Sequence, residues 1–130
     1  MRNVLAILLI AGALFASYMA PERVPGAQTI DSETAYAMFQ KNVKFIDVRP
    51  ERFVLEGKVK NAYHLYVDEF SKQKLNAIAA TKEEIVVYCN GLGCPLSAEA
   101  ILKAVGYGYT KIYYYRDGYP AWKYYNLPVE

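Results

Sequence analysis

The chain contains 130 residues, which is enough for one domain and a short appendage but not for two full-sized domains. Arg2 is the only charged side chain in residues 1–20, so the rest of the chain carries 14 of the 15 basic residues against all 13 acidic ones. This near balance predicts no nucleic-acid partner. Two cysteines are too few for a disulfide framework, and no Cys/His cluster has the spacing of a zinc site, so we expect no metal.

An uncharged apolar run over residues 4–20 follows Arg2. A short positive segment before such a run is typical of an export signal. Residues 1–20 are therefore either a cleaved signal peptide or a retained anchor, because a run of this length lies at the lower limit for a membrane span. Both interpretations place the body of the protein outside the cytoplasm, in the periplasm or an equivalent compartment. The second attaches it to the inner membrane through residues 4–20.

A linker that contains Pro and Gly, residues 21–28, separates this run from a domain predicted over residues 29–130. Capping residues and apolar periodicity predict alternating helices and strands within the domain. We expect helices or helical turns at residues 29–41, 51–56, 70–80, 97–105 and 119–125, and strands at 44–48, 59–65, 85–88 and 111–115. This order predicts an α/β domain whose mainly parallel central sheet is flanked by helices on both faces, preceded by an N-terminal hydrophobic helix.

The segment from Ile85 to Pro95 is the most informative part of the chain. Its first four residues form an unbroken apolar run, which favours a strand buried on both faces and ending at Cys89. Glycines then permit tight turns, and Pro95 fits the first turn of a helix. Backbone N–H groups that converge at a helix N-terminus lower the pKa of a thiol and stabilise an anion on its sulfur. We therefore interpret Cys89 as a nucleophile and the following loop as its set of backbone donors: Asn90, Gly91, Leu92, Gly93, Cys94 and Pro95.

Cys94, in the same loop, has three interpretations. It can form an inert crosslink with Cys89, it can act as a resolving thiol that attacks a persulfide or mixed disulfide on Cys89, or it can fill a small apolar pocket. The spacing permits a disulfide without requiring one. Residues 90–95 contain no Arg or Lys, so the loop lacks the cationic fork that would bind a phosphate, and phosphatase chemistry is not expected.

Four separated motifs together resemble a single rhodanese domain: Phe45-Ile-Asp-Val-Arg49, the segment 56–65, Val86-Val-Tyr-Cys89, and the Asp-Gly-Tyr-Pro-Ala-Trp segment 117–122. The similarity covers roughly residues 29–130. It implies the rhodanese α/β fold and places the nucleophile of the family on Cys89. It also places the Asp-Val-Arg element on Asp47 and Arg49, which we expect to support the site as an ion pair, and the closing Gly-x-x-x-Trp element on Gly118 and Trp122.

The resemblance implies sulfur transfer without a metal or organic cofactor. Cys89 would take a sulfane sulfur from a donor such as thiosulfate or polysulfide, carry it as a persulfide, and pass it to a thiol, cyanide or sulfite. The loop departs from the family pattern, because Cys94 stands where typical members carry an Arg. Two alternatives therefore stay open: a thiol–disulfide redox protein that uses Cys89 and Cys94, and a non-catalytic rhodanese-like binding module.

Overall fold

The computed structural model describes residues 19–130. The predicted hydrophobic helix therefore lies outside the described residues, apart from Met19 and Ala20 at its end. Within residues 19–130, no helix combines the length and the apolar character that crossing a bilayer requires.

Five parallel strands form one sheet in the order β1-β5-β4-β2-β3. The strands are β1 (Ala27–Thr29), β2 (Lys44–Asp47), β3 (Tyr63–His64), β4 (Ile85–Tyr88) and β5 (Ile112–Tyr115). The helices are α1 (Ser32–Gln40), α2 (Glu51–Val54), α3 (Lys72–Ile78), α4 (Leu96–Gly106) and α5 (Gly118–Tyr124), with a short 3₁₀ turn at Val67–Glu69. The predicted α/β class with a parallel central sheet is confirmed.

The central strand β4 is buried on both faces, as its unbroken apolar run predicts. Ile85, Val87 and Cys89 belong to the core cluster that includes residues of α3 and α4. Val86 and Tyr88 belong to the second cluster, which includes residues of α1 and α5. The alternation of side chains along a strand therefore turns the Cys89 side chain toward α4.

Two helices begin at capping side chains. The Asp31 carboxylate accepts a hydrogen bond from the Thr34 N–H at 2.8 Å, and α1 starts at the next residue, Ser32. The Ser71 hydroxyl caps α3 in the same way, accepting from the Lys74 N–H at 3.1 Å. These caps set the starts of the two helices slightly later than the apolar pattern predicts.

The predicted strand at residues 59–65 is shorter in the structure. Only Tyr63–His64 pairs with β2, while Val59 forms an isolated antiparallel bridge with Val129. The chain turns between these two contacts, with Asn61 in the left-handed region at φ +64°. The sheet also gains β1, whose residues were assigned to the linker and to the start of the first helix. Two of the three residues of β1 are exposed, so they carry no apolar alternation to mark a strand.

Candidate active site

Cys89 directly follows β4, and its side chain lies beneath the loop that leads to α4. Its Sγ lies 3.3 Å from the backbone oxygen of Cys94 and 3.4 Å from Oγ of Ser97, and only 1% of the residue is exposed. The hydrogen bond to the Cys94 thiol and the burial of Cys89 raise the pKa of the Cys89 thiol above its ordinary value, although the Ser97 hydroxyl and amide oppose this. In this arrangement Cys89 is a neutral thiol.

Cys94 is half-buried in the same loop and carries the opposite shift. Its backbone N–H donates to the Gly91 carbonyl at 3.0 Å, which folds the loop back over Cys89. The hydrogen bond from Cys89 lowers the pKa of Cys94 to about 6, helped by the Asn90 and Leu96 amides and the charge of Arg49, and opposed by burial. Of the two thiols, Cys94 therefore has the lower pKa in this arrangement, and the role of Cys89 as the nucleophile stays a prediction.

The donor set expected for Cys89 differs from the set that the structure places there. Pro95 has no backbone N–H, so it cannot donate, and its inclusion was wrong. The Cys94 amide is engaged by Gly91, and the Asn90 amide acts on the Cys94 sulfur. Among the described residues, the amide that acts on the Cys89 sulfur belongs to Ser97, which lies on the first turn of α4 outside the predicted loop.

Asp47 and Arg49 form a buried ion pair that reaches the loop. The Arg49 Nε lies 2.9 Å from one Asp47 oxygen, and its Nη2 lies 2.7 Å from the other. The Nη1 group donates to the side-chain oxygen of Asn90 at 3.2 Å, and Nη2 also donates to the Gly57 carbonyl at 2.7 Å. The Tyr88 hydroxyl donates to Asp47 at 2.7 Å. The ion pair thus joins β2, β4 and the first residue of the loop.

The start of α5 packs against the other side of the loop. Gly118 has φ +68°, and a Cβ at this position would lie 2.4 Å from the Cys89 carbonyl oxygen and 2.6 Å from the Gly91 nitrogen. The Tyr119 N–H donates to that carbonyl at 2.9 Å, and the Tyr119 ring lies 4.3 Å from the Arg49 guanidinium. Trp122 is fully buried in the α1/α5 cluster and donates to the Pro128 carbonyl at 2.7 Å, so its contribution is to packing.

Three contacts of the site were not foreseen from the sequence. The contact of the Ser97 hydroxyl with the Cys89 sulfur was not predicted, because a serine at the start of a helix usually indicates a cap. The Tyr119 amide depends on how α5 packs, which no local pattern reports. The third contact joins Ala20 to the loop, since the Ala20 N–H donates to the Leu92 carbonyl at 2.8 Å. The chain's single histidine, His64, lies on the edge strand β3 with Nε2 2.7 Å from the Arg49 carbonyl oxygen.

Two clefts lie away from Cys89. One, of about 480 Å³, is lined by residues that include Phe39, Lys60 and Tyr63. The other, of about 430 Å³, is lined by residues that include Tyr36 and Tyr125. The two thiols lie instead at the 90–95 loop, where Leu92 is 45% exposed and Pro95 is exposed as well.

Known proteins resemble this chain in sequence and in fold. The family model described as Rhodanese-like domain matches residues 31–124. The thiosulfate sulfurtransferase GlpE of Vibrio cholerae is 31% identical over 103 residues, which cover 78% of this chain and 92% of that protein. The BH2092 protein from Bacillus halodurans superposes with a TM-score of 0.72 at 19% identity, covering 80% of this chain and 77% of the other. The rhodanese-like domain of Alr3790 from Anabaena sp. gives 0.69 at 17% identity, covering 78% and 77%.

We predict that Gly118→Ala destabilises the fold by at least about 2 kcal/mol, since the new Cβ meets backbone on both sides and the residue keeps a left-handed conformation. Denaturant unfolding of the full chain measures this loss. The matched control is Gly106→Ala in α4, where a Cβ would meet nothing within 4 Å. Because Gly is unfavourable inside a helix, the control should gain about 0.4–1 kcal/mol. Equal stabilities for the two variants would contradict the close packing of α5 on the loop.

We predict that iodoacetamide alkylates Cys94 with a midpoint near pH 6, well below the value of about 8.5 for a free thiol. The thiolate is the reactive form, so a lowered pKa means that the rate is already near its plateau at neutral pH. Peptide mapping after timed alkylation at several pH values measures the rate at each cysteine. Cys89→Ala removes the hydrogen-bond donor and should raise the midpoint. Faster alkylation of Cys89 than of Cys94 at neutral pH would contradict this assignment.

Proposed function

This chain belongs to the rhodanese-like domain family, and on that basis we propose that it is a sulfurtransferase that carries a sulfane sulfur as a persulfide on Cys89. The observation that carries the proposal is the position of Cys89. It stands at the carboxyl end of the central parallel strand, where ligands of such sheets bind, with its sulfur against the first turn of α4. The likeness to the thiosulfate sulfurtransferase GlpE supports thiosulfate as one donor, beside polysulfide.

Cys89 loses its proton either to the neighbouring Cys94 thiolate or to solvent. Either transfer leaves the thiolate on Cys89. This thiolate attacks the outer sulfur of thiosulfate, the S–S bond of the donor breaks, and sulfite leaves with the bonding electron pair. Cys89 then carries the terminal sulfur as Cys–S–S⁻. A thiol, cyanide or sulfite attacks that terminal sulfur, and the Cys89 thiolate departs. No step requires a metal or an organic cofactor.

Binding of an anionic donor is supported by the surroundings of the loop. The Arg49 guanidinium is already engaged by Asp47, Gly57 and Asn90, so this support comes from the N-terminus of α4, which begins directly after the loop. Because the Cys89 sulfur is buried, the 90–95 loop has to move outward to admit a donor. Such a movement would release the hydrogen bond from Ala20 to the Leu92 carbonyl.

A second candidate function is thiol–disulfide exchange by Cys89 and Cys94. It is favoured by the proximity of the two reduced cysteines, with the Cys89 Sγ 3.3 Å from the Cys94 backbone oxygen, and by the difference between their exposures. A non-catalytic binding module is the third reading, and it is the one that would remain if neither thiol reacts.

We expect thiosulfate or polysulfide to add about 32 Da to the reduced Cys94→Ser variant, because Cys89 then carries one extra sulfur. Intact mass spectrometry measures the addition, and digestion locates it. The control is the Cys89→Ser variant, which should gain no sulfur when treated identically. Disulfide exchange without any persulfide would favour the second candidate, and the absence of both reactions would leave the binding module.

We also propose that the protein is extracytoplasmic and stays attached to the inner membrane through residues 4–20. Ala20 supports retention because it is 2% exposed, its N–H donates to Leu92, and its carbonyl accepts from Arg116 Nη2 at 2.7 Å. The carbonyl of Pro21 accepts from the Tyr114 hydroxyl at 2.8 Å. Ala20, the last residue of the apolar run, is therefore part of the folded domain. Cleavage after Ala20 would remove this buried residue and its hydrogen bonds.

Membrane retention predicts that the protein resists extraction from membranes by alkaline carbonate and that its intact mass includes residues 1–20. Fractionation of cells that express the full chain, followed by mass spectrometry of each fraction, tests both points. A deletion of residues 4–18 provides the control and should move the protein to the soluble fraction. A soluble extracytoplasmic species that begins at Pro21 would show instead that the signal is cleaved.

A further inference from the structure

The cysteine pair offers more than a carrier for one sulfur atom. Both cysteines are reduced and belong to one short loop. The Cys94 backbone oxygen lies 3.3 Å from the Cys89 Sγ, so the two residues are neighbours across the loop. Two cysteines whose backbone and sulfur atoms are this close need only a local turn of the Cys94 side chain to form a disulfide.

Any persulfide formed on Cys89 would have Cys94 as its neighbour. The other side chain that contacts the Cys89 sulfur is the hydroxyl of Ser97, which cannot accept sulfur under ordinary conditions. The Arg49 guanidinium is occupied by Asp47, Gly57 and Asn90. Among the described residues around Cys89, Cys94 is therefore the one nucleophile that could react with a bound sulfane sulfur.

We propose that Cys94 resolves the Cys89 persulfide within the protein, releasing sulfide and leaving a Cys89–Cys94 disulfide. This inference rests on the proposed persulfide chemistry. The Cys94 thiolate attacks Sγ of Cys89, a new Sγ–Sγ bond forms, and the bond from Sγ to the terminal sulfur breaks. The proton that Cys94 took from Cys89 passes to the terminal sulfur, which leaves with the electron pair as hydrosulfide. In this step the Cys94 sulfur is oxidised and the sulfane sulfur is reduced; the Cys89 sulfur was oxidised earlier, when the persulfide formed.

The environment of Cys94 suits an attacking thiol. A thiol is most effective in exchange when its pKa lies near the ambient pH, and the pKa of Cys94 is lowered toward that range. The terminal sulfur leaves as hydrosulfide once it holds the proton that Cys94 took from Cys89, so the two cysteines supply the acid that its departure needs. Cys94 is half-buried, whereas Cys89 is buried, so the Cys94 sulfur would be the more accessible sulfur of the disulfide. An external thiol would therefore attack Cys94 first.

A complete cycle then requires a dithiol reductant. One dithiol molecule reduces the Cys89–Cys94 disulfide and becomes a disulfide itself. The sum of the steps converts thiosulfate and a dithiol into sulfite, hydrogen sulfide and a disulfide. The chain would therefore act as a thiosulfate reductase, and its partner would be a dithiol protein or small dithiol rather than a single-thiol sulfur acceptor.

A single-turnover experiment on the full-length protein tests this activity. The protein is reduced, freed of reductant under anaerobic conditions, and mixed with a stoichiometric amount of thiosulfate; sulfite, sulfide and intact mass are then measured. We expect the wild type to release sulfite and sulfide in equal amounts and to lose about 2 Da, because a disulfide replaces two thiols. Cys94→Ser should release sulfite alone, gain about 32 Da, and yield sulfide only after a thiol is added.

The outcomes distinguish a failure of this inference from a failure of the proposed sulfur transfer. Sulfite without sulfide from the wild type, with a stable persulfide mass, would overturn the inference while leaving the proposed sulfur transfer intact. Sulfide release from Cys94→Ser equal to that of the wild type would overturn it as well. An absence of sulfite from both proteins would refute the proposed function and the inference together. The mass loss of the wild type does not depend on the folding of any variant. Leu102→Ala, at an exposed position on α4, is the control substitution and should behave like the wild type.

Discussion

The buried ion pair between Asp47 and Arg49 holds in place the edge of the sheet at which Cys89 lies. Both side chains are almost completely enclosed, at 0% and 2% exposure, so neither charge can be left without its partner. Desolvation makes such a pair expensive, and it is tolerated only where the remaining donors and acceptors are satisfied. That condition is met, because no buried side-chain nitrogen or oxygen in the described residues lacks a hydrogen-bond partner. The pair is therefore a rigid support, and its outer nitrogen fixes Asn90 at the start of the loop.

This use of Arg49 also leaves the loop without the free cation that phosphate chemistry requires. A phosphatase on the same fold would need a guanidinium free to bind a tetrahedral oxyanion. Here the guanidinium is committed to a carboxylate, a carbonyl and an amide oxygen, and residues 90–95 supply no replacement. A sulfane sulfur needs less, since a thiolate, a neighbouring proton acceptor and the dipole of a helix N-terminus suffice to form and hold a persulfide anion.

The sequence predicts the position of Cys89 in the fold better than it predicts the relative pKa values of the two thiols. An unbroken apolar run followed by glycines and Pro95 is enough to locate a buried strand, a turn and a helix, because each of these is decided locally. The path of the loop decides which of the two sulfurs lies near the backbone amides. The hydrogen bond from the Cys94 N–H to the Gly91 carbonyl is part of that path, and no local sequence pattern reports it. The shortened strand at Tyr63–His64 has a similar cause. Val59, Ala62 and Leu65 are all buried, but packing rather than strand pairing buries these three residues.

The N-terminal end of the described chain adds a spatial constraint to the chemistry. Arg116 and Tyr114 bind the carbonyls of Ala20 and Pro21, and the Ala20 amide binds the loop at Leu92, so the apolar run ends at the same edge of the sheet as the thiols. The exposed side chains of Met19 and Leu92 lie at this edge. In a retained anchor the loop would sit close to the bilayer surface, where a bulky partner can approach from one side only. A small anion such as thiosulfate reaches the loop with less restriction, which favours separate routes for the sulfur donor and for the dithiol that reduces the pair.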